Sequence, residues 1–447
     1  MADNKLAGQE ITAPEDSRVE AYSSAERLAR EIRALKAFSP TAPVDEETLF
    51  AGRRQQVQQL IRVIYERGRH AIIYGERGVG KTSLVNVLRD LLAESVSVVV
   101  SRINCDGGDT FTSIWKKVFR DVTFLEQHDS AGFRPRDESV ERGFCDMLPQ
   151  SPVPDDIRRL LSLLATEEET VIVLDEFDRV ANVKARIQIS DTIKTLSDHS
   201  VNATILIVGV ADSIEKLFSH HQSIQRALLQ IHMPRMSLDE LREIVLKALN
   251  RTDLSITDEA LNEIARLSQG LPHYTHLLGQ HAAVAAVQSD ANKITLEHLG
   301  VAIARTLDES QESVRTAYRT ATMSARVNLY REVLLACALA PLDEFGFFSA
   351  SALRAPLGRI TKTSYAVSSF NKHLEKLCSS ERGAILQRKG EARRYGYRFS
   401  DPLMQPFIML RAYNEKMMPN DFLPPATAGQ QNPAPSRRRT LRDKRAS

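Results

Sequence analysis

Residues 75–82 read GERGVGKT, and Ser83 follows. The stretch fits G-x-x-x-x-G-K-[ST] at Gly75, Gly80, Lys81 and Thr82. In that pattern glycines let backbone N–H groups turn inward around phosphates, while Glu76, Arg77, Gly78 and Val79 complete the loop. Lys81 would reach phosphate oxygens, and the Thr82 hydroxyl would face a Mg2+ ion. The flanks agree: AIIY (71–74) precedes as a short apolar strand, and SLVNVLRDLL follows with helical periodicity, its N-terminus facing the anion together with Ser83.

Working outward, four more short apolar runs read as parallel strands buried on both sides: VSVVV to Ile103, TVIVL (170–174), TILIVG (204–209) and LLQIHM (228–233). Helical patterns separate them, including one over Gln56–Glu66. Alternation of this kind predicts a doubly wound α/β sheet, a P-loop core over residues 44–236. Residues 121–160 break the rhythm with charge, Pro and Gly and read as a surface insertion. The strand VIVLDE ends in two carboxylates. Asp175 is placed to hold Mg2+ through water, and Glu176 to orient and deprotonate an attacking water, which is hydrolytic rather than group-transfer chemistry. Asp178 and Arg179 read as a local ion pair.

Residues 237–326 carry no strand-like run and predict a small helical domain, with helices over 238–250, 258–269, 271–289 and from Leu296. Residues 1–43 are polar with one helix-like stretch, SSAERLAREIRALKAF, and read as an extension. From Val327 to about residue 416, three helices precede ILQRKGEARRYGYRF, which alternates as a hairpin with its turn near Lys389–Glu391. That is a winged-helix layout. Residues 417–447 are Pro-rich, basic and expected to be disordered.

At 447 residues, with 43% apolar and 26% charged residues, the chain has ordinary globular composition. No run reaches the length of a membrane helix, and no apolar signal core opens the chain, so a cytoplasmic protein with no membrane partner is expected. The four cysteines form no CxxC pair and read as buried thiols. Net charge is +2, yet residues 327–447 hold twenty Lys and Arg against ten Asp and Glu. A basic end on an acidic body suggests a polyanion partner there.

The order GERGVGKTS, VIVLDE, ILIVGVADS, SIQRAL and GLPHYTHLL before a winged helix resembles the AAA+ ATPases. The nearest branch is that of origin-recognition initiators and related bacterial ATPases, adjoining the STAND signalling ATPases. The resemblance implies ATP and Mg2+ as ligands, ATP hydrolysis and a homo-oligomer. It implies that LFAGR (49–53) contacts adenine and that Asp212 stands at the sensor-1 position. Arg226 falls where the family's arginine finger acts on a neighbouring subunit. His273 occupies the place of the sensor-2 arginine, while the GLP triplet is closer to the STAND element.

Two outputs stay open. In one, the third C-terminal helix enters a DNA major groove with Ser368, Ser369, Asn371, Lys372 and Lys376. Arg388, Lys389, Arg393, Arg394 and Arg398 of the wing then contact phosphates of double-stranded DNA. In the other, the winged helix is an internal clamp released on nucleotide exchange, and the output is a protein effector. Tyr395, Tyr397 and Phe399 form the hairpin's buried face in both.

Overall fold

The structure, a computed structural model, describes residues 15–40, 51–95, 98–120, 122–126, 140–165, 169–210, 224, 226–323, 328–391 and 394–418. Among these the chain forms two compact units. One runs to Val314 and takes in Asp401–Glu415; the other runs from Arg315 to Ser400.

The first unit is built on a five-stranded sheet ordered β2-β5-β6-β1-β7. Its strands are β1 (His70–Tyr74), β2 (Val98–Asn104), β5 (Glu169–Asp175), β6 (Ala203–Gly209) and β7 (Leu228–His232), all pairing in parallel. The period-two rule divides their side chains between two cores. Ile72, Ile172, Leu174, Ile205 and Ile207 face α4 (Phe111–Arg120), α5 (Pro154–Leu164) and α6 (Val183–Asp198), packing with Trp115, Phe119, Ile157 and Ile189. Ala71, Ile73, Val171, Val173, Leu206 and Val208 face α2 (Arg54–Ile64) and α3 (Lys81–Ser95), packing with Leu60, Val63, Leu84 and Leu88. Burial on both faces is why these strands read as unbroken apolar runs.

The expected insertion at 121–160 is shorter. Among its described residues, the antiparallel pair β3 (Thr123–Glu126) and β4 (Val140–Gly143) stands apart from the sheet. From Phe144 onward the chain rejoins the core, and Ile157, Leu160 and Leu161 of α5 are buried in it.

The helical segment follows as α7 (Leu238–Leu249), α8 (Asp258–Leu267), α9 (Pro272–Gln288) and α10 (Leu296–Glu309), with a two-residue parallel bridge, β8 (Ser255–Ile256) to β9 (Lys293–Ile294), that the sequence did not signal. Ser237 caps α7 in a reciprocal box with Glu240, and Thr257 caps α8. The N-terminal extension expected at 1–43 is, where described, part of this body. Helix α1 (Glu15–Ala37) buries Ala34, Ala37 and Phe38 along α9, and Arg27 and Arg30 pair with Asp290 and Asp253. Gly279 makes room for it: a Cβ there would lie 2.4 Å from the Phe38 ring.

Helix α11 (Glu312–Thr322) leads into the second unit. There α12 (Tyr330–Ala338), α13 (Arg354–Thr361) and α14 (Val367–Leu377) precede an antiparallel sheet ordered β10-β12-β11. Its strands are β10 (Phe348–Ser349), β11 (Leu386–Lys389) and β12 (Gly396–Phe399). Helix α14 buries Phe370, Leu374 and Leu377, with Val367 half-buried on the same face. β10 is a third strand absent from the sequence reading. Tyr397 and Phe399 are buried, and Tyr395 is half-buried under the Arg388 guanidinium.

The last helix, α15 (Met404–Asn414), departs from the expected 327–416 domain: it packs in the first unit, against α8 and α10. Met404, Phe407, Ile408, Met409 and Leu410 are all buried. Residues 404–410 make two successive turns buried on every side, so this part of the helix is enclosed within the first unit. Among the described residues no helix is long and apolar enough to cross a membrane.

Candidate nucleotide site

The loop 75–80 joins β1 to α3 at the carboxyl edge of the sheet, beside the ends of β5 and β6. That edge is where open parallel sheets hold ligands. Gly75 is forced by contact, since a Cβ there would sit 2.3 Å from the Met233 carbonyl oxygen; Gly80 is forced by its backbone, at φ +93°. A cavity of about 970 Å³ opens over the loop, lined by Arg77–Ser83, Asp175, Glu176, Asp178, Gly209 and His273. This volume is ample for a nucleotide.

Lys81 Nζ donates to the carbonyl oxygens of Gly75 (3.1 Å) and Glu76 (2.7 Å), so its ammonium lies inside its own loop. Burial holds it below the usual lysine range, against the opposing fields of Asp178, Asp175 and Glu76. Thr82 Oγ1 donates to Asp175 Oδ2 at 3.0 Å, and the Glu176 backbone N–H donates to Asp175 Oδ1 at 2.9 Å. A hydroxyl and a buried carboxylate side by side form the hard oxygen set that suits Mg2+, and the residues fit that ion.

Glu176 sits at φ +54° where the strand turns into a short 3-10 segment, and its carboxylate accepts from Arg179 Nη1 at 2.7 Å. The ion pair expected between Asp178 and Arg179 is therefore Glu176–Arg179 instead. The turn after β5 carries Arg179 back over Glu176, while Asp178 Oδ1 accepts from the Val210 backbone N–H at 3.2 Å. Asp178 faces the cavity, a placement the motif did not signal.

His273, near the start of α9, lines the cavity and hydrogen-bonds through Nδ1 to the Pro40 carbonyl oxygen at 2.6 Å. Three residues on, His276 Nδ1 accepts from the Ser39 backbone N–H at 3.3 Å, and burial depresses its pKa to about 4. The chain entering the site thus lies on α9. Of LFAGR, residues 49 and 50 lie outside the described residues. Ala51 and Arg53 line the cavity, and the buried Arg53 guanidinium donates to the carbonyls of Val79 and Pro234.

Glu76, expected at the ligand, turns its side chain away from the cavity. Its carboxylate accepts from Arg235 Nε at 2.6 Å, with the two side chains only 15% and 11% exposed. Arg235 Nη1 also donates to Gln405 Oε1 of α15 (2.6 Å) and to the Gln269 carbonyl (3.0 Å). Next to Gln405, Leu403 lines the cavity, with its Cδ2 3.6 Å from where a Gly78 Cβ would stand. The Leu403 carbonyl accepts from Tyr274 Oη at 3.1 Å. No motif flagged Arg235, Gln405 or Leu403.

Asp212 lies outside the described residues. Arg226 is exposed just before β7 and is not among the residues lining the cavity. In the second unit Lys372 and Lys376 are exposed on α14, and Arg388, Lys389 and Arg394 on or beside the hairpin. Arg398 is half-buried, bonded to Gln387 and stacked 4.7 Å from the Phe347 ring centre. Arg393 lies outside the described residues.

Residues 49–208 match the AAA ATPase domain family. No curated protein matches the chain. Among solved structures the chain is similar to the Walker-type ATPase paby2304 of Pyrococcus abyssi, at 16% identity and TM-score 0.47 over 83% of this chain and 99% of that one. It is also similar to the Aeropyrum pernix ORC2 protein in its ADPNP–ADP complexes, at 15% identity and TM-score 0.45 over 81% and 94%. The Aeropyrum pernix ORC1 protein in complex with DNA is similar at 15% identity and TM-score 0.42 over 82% and 93%. These distant likenesses identify no activity. The phosphate loop and the Thr82–Asp175 pair both lie within the stretch, residues 49–208, that is similar to the AAA ATPase domain family.

Proposed function

We propose that the protein is a Mg2+-dependent, ATP-hydrolysing oligomer whose nucleotide state governs engagement of double-stranded DNA by its C-terminal unit. The observation that carries this reading is the buried path from phosphate loop to α15: Glu76 to Arg235 to Gln405, with Leu403 beside Gly78. Helix α15 begins five residues after the last strand of the basic hairpin. A shift of the loop on phosphate binding would therefore reach α15, the helix that follows the hairpin along the chain.

The residues divide the chemistry as follows. Lys81 exchanges its own loop carbonyls for the charged oxygens of a phosphate. Mg2+, when bound, neutralises phosphate charge, and Thr82 and Asp175 would hold it. Glu176 leaves Arg179 to orient and deprotonate water, and its half-exposed carboxylate is free to do so. Arg226, exposed and away from its own cavity, is available to a neighbouring subunit's site, which supports its reading as the finger. His273 touches the cavity and the incoming chain together. In the C-terminal unit, which we read as a winged helix, the exposed Lys372, Lys376, Arg388, Lys389 and Arg394 supply the phosphate contacts. Arg393 is assigned with them from the sequence alone. The cytoplasmic placement expected from the sequence is compatible with ATP and DNA as ligands.

The alternative, a switch with a protein effector, is favoured by His273 at the sensor-2 place, since imidazole couples phosphate to the helical segment more weakly than arginine. A salt-titrated gel shift chooses between them. Binding that requires ATP and disappears on charge reversal of Arg388, Lys389 and Arg394 supports the DNA reading; no shift at low salt in any nucleotide state rejects it.

A further inference from the structure

The Asp175 side chain is 3% exposed, and its Oδ2 accepts a second donor besides Thr82. Arg102 Nη2, from the neighbouring strand β2, lies 3.0 Å away. The guanidinium is fixed from its other side by Asn86 Oδ1 of α3, and Nη2 also reaches Asn104 Oδ1 at 3.5 Å. Its Nε is buried with no partner. The side chain is 21% exposed, so the pair lies largely outside solvent. A cation of the protein's own thus stands on the carboxylate oxygen that also carries the Thr82 bond.

We propose that Arg102 is the built-in counter-ion of the magnesium site. It neutralises Asp175 while the site holds no cation, and it competes for Oδ2 with the water through which Asp175 would hold Mg2+. Two physical requirements lead there. A buried carboxylate needs a compensating charge in every state of the site, because leaving it alone in a low-dielectric setting is strongly unfavourable. Two cations cannot share one oxygen of that carboxylate without mutual repulsion. The guanidinium and Mg2+ therefore compete, and Arg102 raises the Mg2+ concentration at which the site fills. When displaced, Arg102 stays tethered to Asn86, with an unpaired Nε available to an acceptor.

The inference rests on reading Thr82 and Asp175 as the magnesium pair. A wild-type protein whose binding of fluorescent mant-ADP is indifferent to Mg2+ would sink that reading before touching Arg102. Given Mg2+ dependence, Arg102→Met tests the counter-ion role. The nucleotide-free variant should melt earlier than wild type in EDTA and be restored by millimolar Mg2+, which leaves wild type unmoved. Its half-saturating Mg2+ for mant-ADP binding should fall about tenfold, the least expected from removing one like charge a few ångströms away. Arg102→Gln, which keeps a donor toward Asn86, gives the same signs should the Met variant not fold. Unchanged or increased Mg2+ requirement, or a loss of stability that Mg2+ does not restore, overturns the proposal.

Discussion

Replacing Arg235 with methionine removes three hydrogen bonds and one charge from a nearly closed pocket, while keeping most of the apolar stem. Glu76, 15% exposed, is left without its cation, and Gln405 Oε1 and the Gln269 carbonyl lose a donor. Breaking a fully buried pair from one side costs about 3–5 kcal/mol; partial exposure here lowers that to roughly 2–3 kcal/mol. Glu76→Gln should cost less, because Arg235 keeps both remaining acceptors. In the double variant the two losses should not add, leaving a coupling of about 1–2 kcal/mol, the signature of residues sharing one network. Urea denaturation of the four proteins, followed by fluorescence of the single tryptophan, Trp115, buried in the sheet's core, measures the cycle. Because Trp115 reports the ATPase core directly, the readout follows the body that holds the network. An Arg235→Met loss below about 0.5 kcal/mol, or strictly additive effects, would refute the claim that the loop and α15 share a stabilising relay.

Three further outcomes follow. Glu176→Gln should leave mant-ADP affinity within about twofold while ATP turnover falls at least a hundredfold, the scale of losing a general base; normal turnover would remove Glu176 from that role. Gly279→Ala drives a methyl into the Phe38 ring and should cost about 1–3 kcal/mol by denaturation, with Phe38→Ala relieving the clash in the double variant. His276, with its pKa depressed to about 4 by burial, favours the neutral form in the folded state. Its contribution is complete above the unfolded value near 6.5 and is lost as pH falls toward 4, amounting to about 2 kcal/mol at pH 5. A His276→Gln variant whose stability falls between pH 7 and pH 5 as steeply as wild type would contradict this.

What was legible in the sequence was local. GERGVGKT and VIVLDE each carry their chemistry within a few residues, and period-two burial on both faces made the sheet readable as apolar runs. What escaped was tertiary. Arg102 and Arg235 stand in stretches with no motif, and each takes its meaning from a partner far along the chain: Asp175 or Glu76. Helix α15 shows no clear amphipathic period, because its first two turns are buried all round, so its sequence did not reveal which unit it joins. Helix α1 looked like an extension because its buried residues are mostly small; the space left at Gly279 shows why Phe38 fits. The charged hairpin was legible as a hairpin, but strand β10, two residues long, was below the reach of any pattern.

The central claim is that nucleotide at the phosphate loop is felt at α15. Amide hydrogen exchange over residues 404–414, compared for protein with Mg–ADP, with a non-hydrolysable ATP analogue and without nucleotide, tests it most directly. The account predicts that protection differs between the two nucleotides in wild type and that the difference disappears in Arg235→Met. Identical exchange over these amides in all three wild-type states would contradict it.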